Sequence, residues 1–258
     1  VQLRAKIVKE DEIGELAQQF NEMLDQMEEL KQKEYQTKQL LNRAEYKALQ
    51  AQVNPHFLYN TLDTMASIAE IRNCPEVSHM SQSLALIFRY SLNMKDPFST
   101  VENEIAHLKN YIYVMDMRMH DNIQYTFDVD EMTLKSKLPR LSLQPIVENA
   151  INHGLRNKRG KKKIGIQIKR EQMDLVICIE DNGIGLDTSA INESLRKNEL
   201  DFVEKGNSIG LHNINARLKM LYGNQYGMHL ESMLGEGTKV FMILPDRGED
   251  SNNEEKDI

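Results

Sequence analysis

At 258 residues, 28% charged and 40% hydrophobic, the chain can bury one sizeable core and carry an extended helical part besides, in about two domains. A net charge of −7 argues against general nucleic-acid binding, which needs a basic face. Cys74 and Cys178 stand far apart in no metal-like spacing, which points to a reducing compartment, and no apolar run reaches the roughly 18 residues of a membrane span.

The chain opens mid-pattern without a methionine and reads as a piece of something longer. Steps of three and four from Ile13 reach Leu16, Phe20, Met23, Met27, Leu30, Glu34, Thr37, Leu41, Ala44, Ala48 and Ala51, and ten of these twelve positions are apolar. Such a heptad seam predicts a parallel dimeric coiled coil in preference to a lone amphipathic helix, loosened at Glu34 and Thr37. The next step falls on Pro55, beside His56, in AQVNPHFLYN. A proline there predicts a kink that frees the carbonyl of Ala51, with the helix running on to Asn73-Cys74-Pro75. A second helix is predicted over 76–93, with Val77, Met80, Leu84, Ile87, Phe88 and Ser91 on one face. The pair makes a helical hairpin, and two copies would make a four-helix bundle. KDPFST interrupts the pattern before a helix over 101–119.

From there the texture is mixed. IQYTFDVD (123–130) alternates as a strand, and LSLQPIVENAINHGL (141–155) reads as a helix with Pro145 near its start. KIGIQIKR (163–170) and LVICIED (175–181) are strands across the turn EQMD. A long segment, 186–208, has only a weak helical pattern, and connections of that length are functional or mobile. IGLHNINARLKMLY (209–222) is a helix capped by Gly223, and MHLESM and KVFMILP close a hairpin around LGEGT. The acidic tail 247–258 is predicted to be disordered. The fold class is α+β, with a long coiled-coil helix, a helical hairpin and then an α/β part.

Three stretches can carry chemistry. In DNGIG (181–185), Asp181 ends an apolar strand and can accept a hydrogen bond from a buried amino group, while Gly183 and Gly185 let backbone pass close to a flat ligand. Alone it reads as a turn. GNSIGL (206–211) opens a helix whose amides and dipole suit phosphate, without the lysine of the common phosphate loop. VENAINHG (147–154) sets Glu148, Asn149, Asn152 and His153 along two helical turns, where an amide oxygen can meet Mg²⁺. Alone it is a polar face. The run RNKRGKKK (156–163) reads as a solvated turn, and His79, His107, His120, His212 and His229 read as ordinary surface or helix residues.

The order of these pieces, closed by Gly-x-Gly-Thr at 235–238, resembles the Bergerat ATP-binding fold of histidine kinases, type II topoisomerases, MutL and the ninety-kilodalton chaperones. The resemblance implies an α/β-sandwich in which Asp181 binds the adenine amino group. Asn149 holds Mg²⁺, with Asn152 and His153 nearby, and residues 186–208 form a lid over ATP. Gly206, Gly210 and Leu211 lie by the phosphates, and Thr238 sits behind the adenine. QVNPHFLYNTL (52–62) resembles the phosphoacceptor signature of LytS/YesM-like sensor histidine kinases, and DEIGELAQQFNEM (11–23) is similar to the end of a HAMP linker. By that likeness residues 1–30 end a HAMP linker, 31–50 form a signalling coiled coil, 51–120 dimerise and carry phosphoryl, and 121–246 bind ATP. His56 would be phosphorylated and then hand its group to an aspartate of a response regulator. Asn60, one turn on, would bond the phosphoryl group or place a water. The implied partners are a second copy and the regulator, with no nucleic acid. The cell membrane would be reached through a missing N-terminal part, leaving this piece on the cytoplasmic side.

Two positions depart from relatives. Many histidine kinases place an acidic residue after the histidine, where Phe57 stands, which leaves Asp63 and Glu70 as candidate bases. ATP-hydrolysing relatives place a glutamate where Pro145 stands, which disfavours a clamp-type ATPase. A non-catalytic coiled-coil scaffold is disfavoured by the intact Asn149 and Asp181.

Overall fold

The computed structural model describes residues 15–16, 18–21, 23–27, 30, 55–92, 96–119, 122–197 and 209–246. The chain divides into two compact units, Val1–His56 and Phe57–Ile258. In the first unit the described residues between 15 and 30 are helical. Leu16 and Leu30 on the predicted seam are 68% and 65% exposed, and Phe20, Met23 and Met27 are about half exposed, so one chain leaves the seam uncovered. The rest of the seam, the kink before Pro55 and the acidic tail lie outside the described residues. Among the described residues no helix is long and apolar enough to cross a membrane.

Helix α1 (Pro55–Ile71) and helix α2 (Pro75–Leu92) run antiparallel about a turn at Asn73, whose φ is +56°. Arg89 reaches across from α2 to α1. Its guanidinium lies 5.5 Å over the Tyr59 ring and 3.8 Å from the Asp63 carboxylate. On the apolar face of α2, Met80, Leu84, Ile87 and Ser91 are half-buried and Val77 and Phe88 exposed. Ser78, Ser81 and Ala85 are buried, against helix α3 (Val101–Met119), because small side chains let two helices approach closely. Val77, Leu86 and Phe88 stay exposed, as do Met65 and Ile68 on α1.

Strand β1 (Phe98–Thr100) falls in the predicted break and pairs antiparallel with β3 (Lys137–Pro139). The main sheet has five strands in the order β2, β4, β5, β7, β6, comprising β2 (Ile123–Val129), β4 (Lys162–Glu171), β5 (Asp174–Asp181), β6 (Gly227–Met233) and β7 (Gly237–Pro245). β2 is parallel to β4 and the other pairs are antiparallel. Period-two alternation sends Ile164, Ile166 and Ile168, then Leu175, Ile177 and Ile179, then Val240, Met242 and Leu244 to one face. All nine are buried there with Leu108, Ile146, Ile151 and Leu218 from the helices. The opposite face mixes polar residues such as Gln167, Lys169 and Glu180 with half-buried Val176, Phe241 and Ile243.

The predicted helix over 141–155 is two structures. α4 (Gln144–Asn149) is α-helical, and Ala150–Leu155 is a π turn, the wider helix that recurs at functional sites. Within the segment 186–208, Ser189–Lys197 forms helix α5, in keeping with its weak helical pattern. Asn192 bonds both backbone groups of Leu230, at 2.7 and 2.8 Å, on the edge strand β6. Residues 198–208 lie outside the described residues. Helix α6 (Ile209–Tyr222) ends at Gly223, whose φ is +94°. His212 is no surface residue. It is buried at the join of α5 and α6, 2.7 Å from the Ser194 hydroxyl. His107 is buried as well, 2.7 Å from the Gln144 amide oxygen.

Candidate nucleotide site and phosphoacceptor

Asp181 continues the row Leu175, Ile177, Ile179, so alternation aims it at the helix-covered side of the sheet. Burial there raises its pKa above the ordinary carboxylate range, while the amides of Gly183 and Thr238 and the charge of Lys158 pull the other way. The Gly183 amide donates to Asp181 Oδ1 at 2.7 Å. Beside this carboxylate lies a cavity of about 420 Å³. Its polar lining includes Asn149, Asn152, His153, Asp181 and Thr238, and its apolar lining includes Ile146, Ile179, Ile184, Leu211 and Val240. A flat ligand with one amino group to donate fits a mostly apolar slot floored by one acceptor.

Three backbone segments cross beneath the cavity. Ile184 donates its amide to Gly154 O at 3.0 Å, and Gly235 donates to Ile184 O at 2.7 Å. A methyl group on Gly183 would stand 2.3 Å from Gly154 O, and one on Gly185 would stand 2.0 Å from Met233 O. Gly185 also has φ of +66°. Gly185→Ala should therefore destabilise the domain by about 2–5 kcal/mol, combining left-handed strain with a clash against backbone that cannot swing aside. Urea unfolding measures it; a midpoint equal to wild type would contradict this crossing.

The predicted residues do not all meet the cavity. Asn149, Asn152, His153, Asp181, Gly185, Leu211 and Thr238 line it. Gly183 packs behind, against Asp181 and Gly154, and a methyl group on Gly210 would stand 3.6 Å from Pro145 Cβ, where α6 meets α4. Gly206 lies outside the described residues. The apolar walls were indistinguishable in sequence from ordinary core. Arg156 and Asn157 also line the cavity, so the start of the basic run is not merely a solvated turn. A wider hollow of about 620 Å³ on the open face of the sheet has charges already matched, with Lys239 3.2 Å from Glu180. The cavity beside Asn149 is the better-built site.

Residues 44–123 match the family described as histidine kinase, and residues 137–248 match the histidine kinase-, DNA gyrase B- and HSP90-like ATPases. Sensor histidine kinase YesM of Bacillus subtilis is 32% identical over 240 residues, covering 93% of this chain and 40% of that protein. Sensor protein LytS of Oceanobacillus iheyensis is 33% identical over 215 residues, covering 81% of this chain and 36% of that protein. The chain belongs to the LytS/YesM-type sensor histidine kinases. It spans about 40% or less of the length of these relatives. The catalytic domain of histidine kinase ThkA aligns over 60% of this chain and all of its own, at 15% identity and a TM-score of 0.45.

In this kinase family member His56 and Asn60 lie near the start of α1, and both are exposed to solvent. Pro55 is the first residue described in that helix. The candidate bases are badly placed within one chain. A rise of 1.5 Å per residue puts Asp63 about 10 Å and Glu70 about 21 Å along the helix from His56. Asp63 is moreover paired with Arg89.

Proposed function

We propose that the chain is the kinase part of a membrane-anchored, dimeric sensor histidine kinase. Residues 1–30 are the end of a HAMP linker, 31–50 a signalling coiled coil, 51–120 the dimerisation and phosphotransfer region, 121–246 the ATP-binding domain and 247–258 a tail. The observation that carries this is a buried acceptor, Asp181, flooring an apolar cavity rimmed by Asn149 and Asn152, on a chain that also presents His56 to solvent. The uncovered seam at Leu16, Phe20, Met23, Met27 and Leu30 supports the dimer.

Asp181 accepts from the adenine amino group, and Thr238 backs the ring. Among the described residues no three His, Cys, Asp or Glu side chains cluster as metal ligands. The neutral amide oxygens of Asn149 and Asn152 suit Mg²⁺, which keeps waters and is commonly held through substrate phosphates. Bound there, the ion would neutralise phosphate charge. A ring nitrogen of neutral His56 attacks the γ-phosphorus of ATP. The new bond is N–P, the bond that breaks is from that phosphorus to the bridging oxygen, ADP leaves, and the ring's proton passes to solvent. An aspartate of a response regulator then takes the phosphoryl group.

Incubation with γ-labelled ATP and Mg²⁺ tests this. The expected product is protein carrying acid-labile, base-stable label. Label that survives acid, or ADP formed with no labelled protein, would favour a hydroxyl kinase or an ATPase instead.

A further inference from the structure

Glu104, on α3, is fully buried at 0% exposure. Its Oε1 accepts from the Leu141 amide at 2.8 Å and from the Tyr90 hydroxyl, and its Oε2 accepts from the amides of Ser142 at 2.9 Å and Leu143 at 3.2 Å. These amides form the turn that leads into α4. The turn needs holding. Leu141 has φ of +56°, which a residue with a Cβ adopts reluctantly, and α4 has no side-chain cap of its own. Arg217 of α6 reaches the same turn, donating to the Ser142 hydroxyl at 3.1 Å. One carboxylate thus holds the root of α4, the helix that carries Asn149, at a turn that Arg217 of α6 also bonds.

Tyr90 brings in a fourth element. It belongs to α2, the hairpin partner of the helix that begins at Pro55-His56, and its ring is clamped on both faces. His107 stacks at 4.3 Å on one side, and the Arg140 guanidinium lies 4.1 Å over the ring. Arg140 also donates to Tyr90 O at 3.3 Å, and His107 meets Gln144, the first residue of α4. Burying a carboxylate is costly, and an apolar pair would hold two helices together at lower cost. Directional bonds add a defined pose, which apolar contact does not.

We propose that Tyr90 and Glu104 are positioning residues, through which the tilt of α2 sets the pose of Asn149 at the nucleotide site. The Tyr90 hydroxyl moves with α2, the Glu104 carboxylate follows it, and the Leu141–Leu143 turn carries the shift into α4. The inference rests on the kinase reading for its rate readout only.

The test uses the whole chain, with Tyr90→Phe as the main variant because it removes one hydroxyl and keeps the clamped ring. Three quantities are read: ATP affinity with Mg²⁺, the rate of labelling at saturating ATP, and hydrogen exchange of the 141–143 amides. Tyr90→Phe should bind ATP within about twofold of wild type and label about tenfold more slowly, the loss of a hydrogen bond to a charged acceptor. The 141–143 amides should exchange faster. Glu104→Gln should slow labelling too, and adding Tyr90→Phe to it should slow it no further, since both act through one link. A wild-type labelling rate in Tyr90→Phe, or a fall due wholly to weaker ATP binding, overturns the proposal. So does unchanged exchange at 141–143, whatever the labelling shows. Wild-type protein that never labels overturns the kinase reading, while the exchange measurement still decides the link.

Discussion

Asp181→Asn should lower nucleotide affinity by roughly a hundredfold while raising the thermal stability of the free protein. The two effects have one cause. Asp181 is held by burial above the ordinary carboxylate pKa, so its ionised form is unfavourable in the folded state. Asparagine keeps an oxygen for the amides of Gly183 and Thr238 and removes the buried charge. A ligand's amino group, however, bonds a charged oxygen more strongly than a neutral one, and an asparagine amide turned toward it would oppose donor to donor. Losing a hydrogen bond to a charged group costs about 1.5–3 kcal/mol, which is roughly ten- to hundredfold, and the donor clash puts this site at the upper end. Calorimetric titration with ATP and Mg²⁺, beside thermal melts without nucleotide, measures both halves. Retained affinity would contradict the pocket, and a lowered melting point would contradict the cost of the buried charge.

The same shift fixes a pH dependence. Below the ordinary carboxylate value near 3.9, Asp181 is protonated folded or unfolded and costs nothing. Between that value and its raised native value the folded state binds more protons than the unfolded one, so stability contributed at this site falls as pH rises. Above the native value the penalty is constant. The gap in melting temperature between Asp181→Asn and wild type should therefore open as pH climbs through that window and then stay flat. A gap that closed with rising pH would mean the carboxylate is stabilised by its surroundings.

Local pattern revealed the parts of this fold that depend on local pattern. LVICIED and KVFMILP are continuous apolar runs that read as strands, and their burial alternates because only one sheet face is covered, which turns Asp181 inward. Helix α3 runs over the predicted 101–119. What failed was set by distant partners. The fully buried positions of α2 are Ser78, Ser81 and Ala85, while Met80, Leu84 and Ile87 of its apolar stripe are half-buried. The π turn after Asn149 has no signature among its own residues. Gly154 stands under Asp181, where a methyl group would lie 2.7 Å from its Oδ1 and force the carboxylate to shift. His107 and His212 looked ordinary because burial is not written in a lone histidine. Glu104 is one of two acids in VENEIAH, and only the turn it caps, 37 residues on at Leu141, distinguishes it. At the site the polar residues announced themselves by type and order, whereas Ile146, Ile179 and Val240 could have been any core residues.

His56→Gln should abolish the acid-labile label and leave nucleotide binding intact. Glutamine has a similar reach and polarity but no lone pair able to form a phosphoramidate, because its amide nitrogen is conjugated with its carbonyl. The effect on transfer is then complete rather than graded, as expected when the nucleophile itself is removed. The cavity is built from residues 146–240, none of them on α1, so ATP affinity should stay within about twofold of wild type. Position 56 is exposed at the second residue of a described helix, where substitutions usually change stability by no more than about 0.5 kcal/mol. A melting point near wild type would therefore exclude misfolding as the cause of lost label. Asn60→Ala separates the neighbour from the nucleophile. If Asn60 bonds the transferred group, its removal slows labelling or dephosphorylation without eliminating label. Acid-labile label persisting in His56→Gln would move the phosphoacceptor elsewhere on the chain, with His79 and His229, both exposed, as the next sites to replace.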